Sequence, residues 1–171
     1  MQRIIAPYRY VFPMDRLIQR MKYQGDRRLG RVLGSLLARH VATELDSAEL
    51  PDILIPVPLH SSRLATRGFN QAREIAHWCA RELQLPAASD GVRRIVDTDS
   101  LAGLTRAERQ HRILGAFRAS SEVADRRIAI IDDVLTTGST ARELARELYD
   151  SGALSVEAWV LARTSSDRPD G

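Results

Sequence analysis

One stretch constrains the fold more than any other: Arg-Ile-Ala-Ile-Ile-Asp-Asp-Val-Leu-Thr-Thr-Gly-Ser-Thr, residues 127–140. The apolar run from Arg127 to Val134 is almost unbroken, as a strand covered on both faces requires. It delivers two adjacent acids, Asp132 and Asp133, to its carboxyl end. A Thr-Gly-Ser loop follows. Ala141, Leu144, Ala145, Leu148 and Tyr149 then recur at helical spacing, with a stop at Gly152. A strand that needs two covered faces and feeds a helix calls for a parallel sheet with flanking helices. Ligands of such sheets bind at the carboxyl ends of the strands.

The rest of the chain supplies the parts. Asp15–Lys22 and a longer stretch from Arg28 to near Leu45 predict two helices. Gly25 is the stop between them and Asp26 a candidate cap. Asp52–Val57 and Ser155–Leu161 read as strands, and Gly91–Val96 as a weaker one. Phe69, Ala72, Ile75, Ala76, Cys79 and Leu83 mark another helix, closed by Pro86. Val96–Leu114 is polar and arginine-rich without a clear period, and loops of that length in a compact domain are usually functional. At 171 residues the chain is about one domain. The expected division is a helical segment over 1–50 packed on the core, a core over 51–163, and a frayed tail over 164–171.

The same run carries the chemistry. A helix N-terminus offers unpaired N–H groups and partial positive charge, which suits a phosphate. Gly138 lets the backbone approach it, and hydroxyls on Thr136, Thr137, Ser139 and Thr140 add donors. Thr140 and Glu143 also fit a capping box. Two carboxylates at a sheet end need partners. Ribose hydroxyls or a magnesium ion would serve.

Composition removes several classes. There are 25 basic against 22 acidic residues, and the only lysine is Lys22. Arginine grips phosphate in a bidentate fork, but a net charge of +3 alone does not favour a nucleic-acid protein. Aromatic residues are 5%, few for a base-stacking platform. The single cysteine, Cys79, excludes an internal disulfide and a Cys-rich zinc site. It lies on an apolar helix stripe and reads as core. His40, His77 and His111 lack metal-ligand spacing to His60, so no protein-only metal site is expected. No run of about 18 apolar residues predicts a membrane span, and Met1–Tyr10 does not read as a signal peptide. These features suit a cytoplasmic protein. A receiver-like phosphoacceptor would need a late lysine, which is missing.

The segment Ile130–Thr140 closely resembles the 5-phosphoribosyl 1-pyrophosphate (PRPP) motif of type I phosphoribosyltransferases. The resemblance implies that Asp132 and Asp133 hold the ribose 2- and 3-hydroxyls. It implies that Thr136, Thr137, Gly138, Ser139 and Thr140 hold the 5-phosphate. A second segment, Pro56-Val57-Pro58-Leu59-His60 with Arg63 and Arg67-Gly68-Phe69-Asn70-Gln71-Ala72, looks like the hallmark of the ComF family, linked to competence and DNA uptake. Met21-Lys22-Tyr23-Gln24-Gly25-Asp26 and Leu161-Ala162-Arg163 extend the likeness over roughly residues 10–163.

By that resemblance the fold is α/β, a type I phosphoribosyltransferase sheet with a small N-terminal helical segment and a flap over 97–117. Pro58, Leu59 and His60 form the pyrophosphate loop, with Arg63 and Arg67 as candidate clamps. Arg106, Arg109 and Arg112 cluster on the flap, and Arg106 and Arg109 join the acid pair as the candidate catalytic set. Magnesium is expected through the substrate. The implied reaction transfers the phosphoribosyl group of PRPP to an acceptor the sequence does not name. The alternative is a non-catalytic nucleotide-sensing module that engages DNA-uptake proteins or single-stranded DNA. A homodimer is implied for the fold. Three departures stand out. The family's N-terminal cysteine-rich zinc module is not in this sequence. Leu101 and Arg112 align where relatives tend to carry Gln and Asn. Thr136 replaces the aspartate of purine-salvage relatives, which disfavours purine salvage.

Overall fold

The computed structural model describes residues 1–88, 90–97 and 113–164. Their elements in chain order are β1 (Ile4–Ile5), β2 (Tyr8–Arg9), α1 (Met14–Gln24), α2 (Arg28–Glu44), β3 (Ile53–Pro56), α3 (Ser61–Arg67) and α4 (Gln71–Leu83). Then come β4 (Val92–Arg94), β5 (Phe117–Ala119), β6 (Arg127–Leu135), α5 (Ser139–Asp150) and β7 (Ser155–Arg163).

β6 is the centre of a parallel sheet ordered β1-β7-β6-β3, with β2 also paired to β7. Its apolar run now has its reason. Ala129 and Ile131 point to one face, where Trp159, Leu161, Leu54 and residues of α1, α2 and α4 form a core. Ile128 and Ile130 point to the other, against Ile55, Val156, Phe117 and the apolar stripe of α5. A strand flanked by strands and layered on both faces has no polar side to show.

Two helices on the first face meet closely. A Cβ added at Gly34 of α2 would sit 2.7 Å from the Ile75 carbonyl oxygen and 2.7 Å from Trp78 Cβ in α4. At Gly30 it would sit 2.8 Å from Glu74 Cβ. The Gly-xxx-Gly spacing puts both on one helix face, so α2 and α4 touch through backbone there.

Several expectations need correction. The first nine residues are not helical: β1 and β2, two residues each, join the edge of β7. Such short strands leave no alternation to read. The Gly91–Val96 strand forms only over Val92–Arg94, in a separate antiparallel ribbon with β5. α3 was not expected, because none of its residues is buried and no apolar period marks it. Asp26 does not cap α2 with its side chain; its carboxylate instead takes the Arg28 guanidinium at 2.9 Å and pairs with Arg20 at 3.1 Å. Gly25 does end α1, at φ +68°. Among the described residues no helix is long and apolar enough to cross a membrane.

Candidate functional site

The acid pair stands near the carboxyl end of β6, just past the last residue paired with β3, while the strand stays paired with β7 as far as Leu135. Asp133 is buried, and its Oδ1 accepts the Val134 N–H at 2.9 Å. Asp132 is half-buried, and its Oδ1 accepts the Asp133 N–H at 2.9 Å. Each carboxylate thus uses one oxygen to fix the strand end. Burial, with the Asp133 charge beside it, pushes the Asp132 carboxyl well above the ordinary carboxylate range, against the pull of Lys22.

The loop then turns into α5. Gly138 stands at φ +71°, a left-handed conformation that favours glycine, and forms the N-cap. The Thr137 and Ser139 hydroxyls bond each other at 2.5 Å. Arg142 curls back so that its Nη2 donates to the Thr137 carbonyl at 2.8 Å. The first-turn N–H groups of α5 have no carbonyl partner within the helix. Hydroxyls, amide groups and a guanidinium therefore line one short turn.

The predicted capping box does not form. Gly138, not Thr140, is the cap, and the Glu143 carboxylate turns elsewhere. Its Oε1 accepts the Gly115 N–H at 2.6 Å and takes Arg146 Nη2 at 2.6 Å. Glu143 thereby ties the chain at Gly115 to the helix that follows the Thr-Gly-Ser loop. Glu143→Ala leaves that half-buried N–H without its acceptor. The expected cost is ~1–3 kcal/mol, a fall in the thermal midpoint of roughly 2–12 °C. The Arg146 guanidinium holds this carboxyl below the usual range. Its contribution is therefore present above the ordinary glutamate pKa of about 4.3 and lost as pH falls through its lower native value. Unfolding curves of wild type and variant should draw together in acid.

Between β3 and α3 lies the loop of Pro58, Leu59 and His60. His60 opens α3, with Nδ1 2.9 Å from Ser62 Oγ and 3.4 Å from Asp97 Oδ2. Ser62 Oγ donates to Asp97 in turn. The Asp97 carboxyl is held low first by that hydrogen bond, then by His60, Arg63 and Arg94. Asn70, quoted in the hallmark segment without a role, joins this loop to α4. Its Nδ2 donates to the Val57 carbonyl and its Oδ1 caps α4 at the Ala72 N–H.

The predicted residues fall into three groups. Asp132, Asp133 and residues 136–140 share one strand end and one helix start, as the sequence indicates. Pro58, Leu59, His60 and Arg63 lie on the adjoining loop and α3, where Arg63 feels Arg67, Asp97 and Tyr23. Arg67 instead donates to Gln71 Oε1 at 2.7 Å. Leu101, Arg106, Arg109 and Arg112, with most of the expected flap, lie outside the described residues. Three basic residues were missed as site residues. Lys22 Nζ lies 3.6 Å from Asp133 Oδ2. Arg94 lies within electrostatic reach of Asp132 and Asp97. Arg142 covers the loop at Thr137. Only Lys22 carried a signal, as the one lysine in an arginine-rich chain.

Known proteins share this architecture. Residues 31–170 match the family model described as a phosphoribosyl transferase domain. The chain is 37% identical over 161 residues to competence protein F of Haemophilus influenzae, covering 90% of this chain and 69% of that protein. It is 34% identical over 165 residues to the DNA utilization protein YhgH of Escherichia coli K12, covering 95% and 73%. Among solved structures, a hypoxanthine phosphoribosyl transferase of Trypanosoma cruzi superposes with a TM-score of 0.51 at 15% identity, over 85% of this chain and 70% of that one. At that identity the likeness concerns the fold, a type I phosphoribosyltransferase sheet. The chain belongs to the phosphoribosyl transferase domain family and, within it, to the ComF group of competence protein F and its homologues.

Proposed function

We propose that this chain binds PRPP, with magnesium on the pyrophosphate, across the carboxyl end of β6, and transfers the phosphoribosyl group to an acceptor in DNA handling. The observation that carries the reading is the junction of β6 and α5. A buried strand carries two adjacent carboxylates near its carboxyl end, and a left-handed Gly138 opens a 12-residue helix one loop later. The helix start and the hydroxyls of Thr136, Thr137, Ser139 and Thr140 suit a 5-phosphate. Asp132 and Asp133 suit the two ribose hydroxyls, because carboxylates accept charge-assisted hydrogen bonds. The Pro58–His60 loop, with Arg63 beside it, faces the pyrophosphate end.

The hard oxygen donors at this junction fit a magnesium–phosphate ligand. Magnesium, when bound, neutralises charge on the departing pyrophosphate. The chain's own residues position the sugar and supply fixed dipoles and guanidinium charge, the main means by which such sites lower a barrier. The names of the relatives, competence and DNA utilization, support the setting in DNA handling.

Thermal unfolding tests the reading. PRPP with magnesium at about 100 times its dissociation constant adds ~2.7 kcal/mol. That raises the midpoint by roughly 5–11 °C for a chain of this size. Ribose 5-phosphate, without the pyrophosphate, is expected to shift it less. No shift with PRPP and magnesium sinks the proposal. Pyrophosphate release on adding an acceptor separates transfer from binding alone.

A further inference from the structure

Lys22 is the only lysine of the chain, in which the other strongly basic side chains are all arginine. It stands in the last turn of α1, just before Gly25 ends the helix. A helix C-terminus carries partial negative charge and favours a cation there. Ile18 and Met21 on the same helix are 2% and 1% exposed and fix that turn in the core. From this anchored turn Lys22 reaches across to β6.

Its ammonium lies 3.6 Å from Asp133 Oδ2. Oδ1 of that carboxylate is occupied by the Val134 N–H, whereas Oδ2 is buried and accepts no hydrogen bond among the described residues. The separation exceeds the usual N–H···O distance of about 2.7–3.2 Å, so the pair is an ion contact with slack for another donor. The choice of lysine fits this geometry. A guanidinium is a planar fork matched to two oxygens, and only one is open here. An ammonium is a compact charge with three rotatable donors.

We propose that Lys22 is a positioning residue of the ribose site: its ammonium aims the Asp133 carboxylate and shares it with the vicinal hydroxyls of a bound ribose phosphate. This deepens the PRPP reading and rests on it. It gives α1, an element outside the phosphate-type loop, a part in ligand binding. A buried carboxylate stripped of its counter-charge is strongly disfavoured. Losing Lys22 therefore disables Asp133 as an acceptor.

The test exploits the single native cysteine. Cys79 is fully buried, and burial pushes its thiol up to about 12. In Lys22→Cys, bromoethylamine therefore alkylates the introduced thiol, rebuilding an ammonium side chain of lysine's length. Iodoacetamide gives a neutral control. PRPP with magnesium is titrated against all forms by calorimetry. Lys22→Cys and its neutral adduct are expected to bind at least about tenfold more weakly than wild type. The aminoethyl form should return to within about threefold. Wild-type affinity in Lys22→Cys, or equal rescue by the neutral adduct, overturns the assignment and leaves the PRPP reading standing. A wild type that does not bind PRPP overturns the reading and this proposal together. Should Lys22→Cys not fold, as circular dichroism would show, Lys22→Met and Lys22→Arg carry the comparison. Weaker binding in Met than in Arg supports the role, and equal affinities overturn it.

Discussion

Affinity for PRPP with magnesium is expected to fall by about 10²–10⁴ when Asp132 and Asp133 are both replaced by asparagine, with the chain still folded. On the proposed reading each carboxylate accepts from a ribose hydroxyl as a charged group, worth ~1.5–3 kcal/mol apiece, and the two together give that range. Asparagine keeps the shape and an oxygen for the strand-end N–H groups, so the loss falls on the ligand. The fold should tolerate the change at Asp132 in particular. Its carboxyl is raised by burial and by the neighbouring charge. A raised native pKa means that wild-type stability is fully present below the ordinary aspartate value and declines as pH rises through the native one. Asp132→Asn has no such decline. Relative to wild type, the single variant should gain stability as pH increases, read by thermal unfolding across a pH series. Unchanged PRPP affinity in the folded double variant would remove the site from β6.

Gly34→Val is expected to be the most damaging of the single changes away from the site. The new side chain would begin 2.7 Å from the Ile75 carbonyl and 2.7 Å from Trp78 Cβ, with the Cys79 backbone nitrogen at 3.2 Å. Two of these three neighbours are backbone and cannot rotate away. Overpacking of this kind costs about 1–3 kcal/mol, occasionally more. The β-branch adds a small helix penalty. A midpoint drop of roughly 2–12 °C is the expected reading. An unchanged midpoint would mean that α2 and α4 separate freely at this crossing.

The legibility of the chain follows from where periodicity lives. β6 could be read because both its faces are covered, and α2 and α4 because their stripes repeat. Residues 132–140 could be read because loop, glycine and acids are consecutive. α3 was invisible because it buries nothing, and β1 and β2 because two residues carry no pattern. The contact of Lys22 with Asp133 joins positions 111 residues apart through the docking of α1. No local rule encodes such a meeting. Glu143 shows the opposite error. A motif that fits a cap was claimed instead by Gly115 and Arg146, because Gly138 already occupied the cap position.

The margins of the main sheet bear on how this molecule meets others. On one side β7 is bonded by β1 and β2, and the Gln2 and Tyr10 N–H groups extend that contact. On the other, Leu54 of β3 exchanges hydrogen bonds with Pro86 and Ala88. The long apolar strands are thus selvedged by short pieces of their own chain, too brief to template a foreign strand. Strand addition, a common mode of peptide capture, is closed to both flanks. A partner that adds a strand to this sheet has first to displace one of these short pieces.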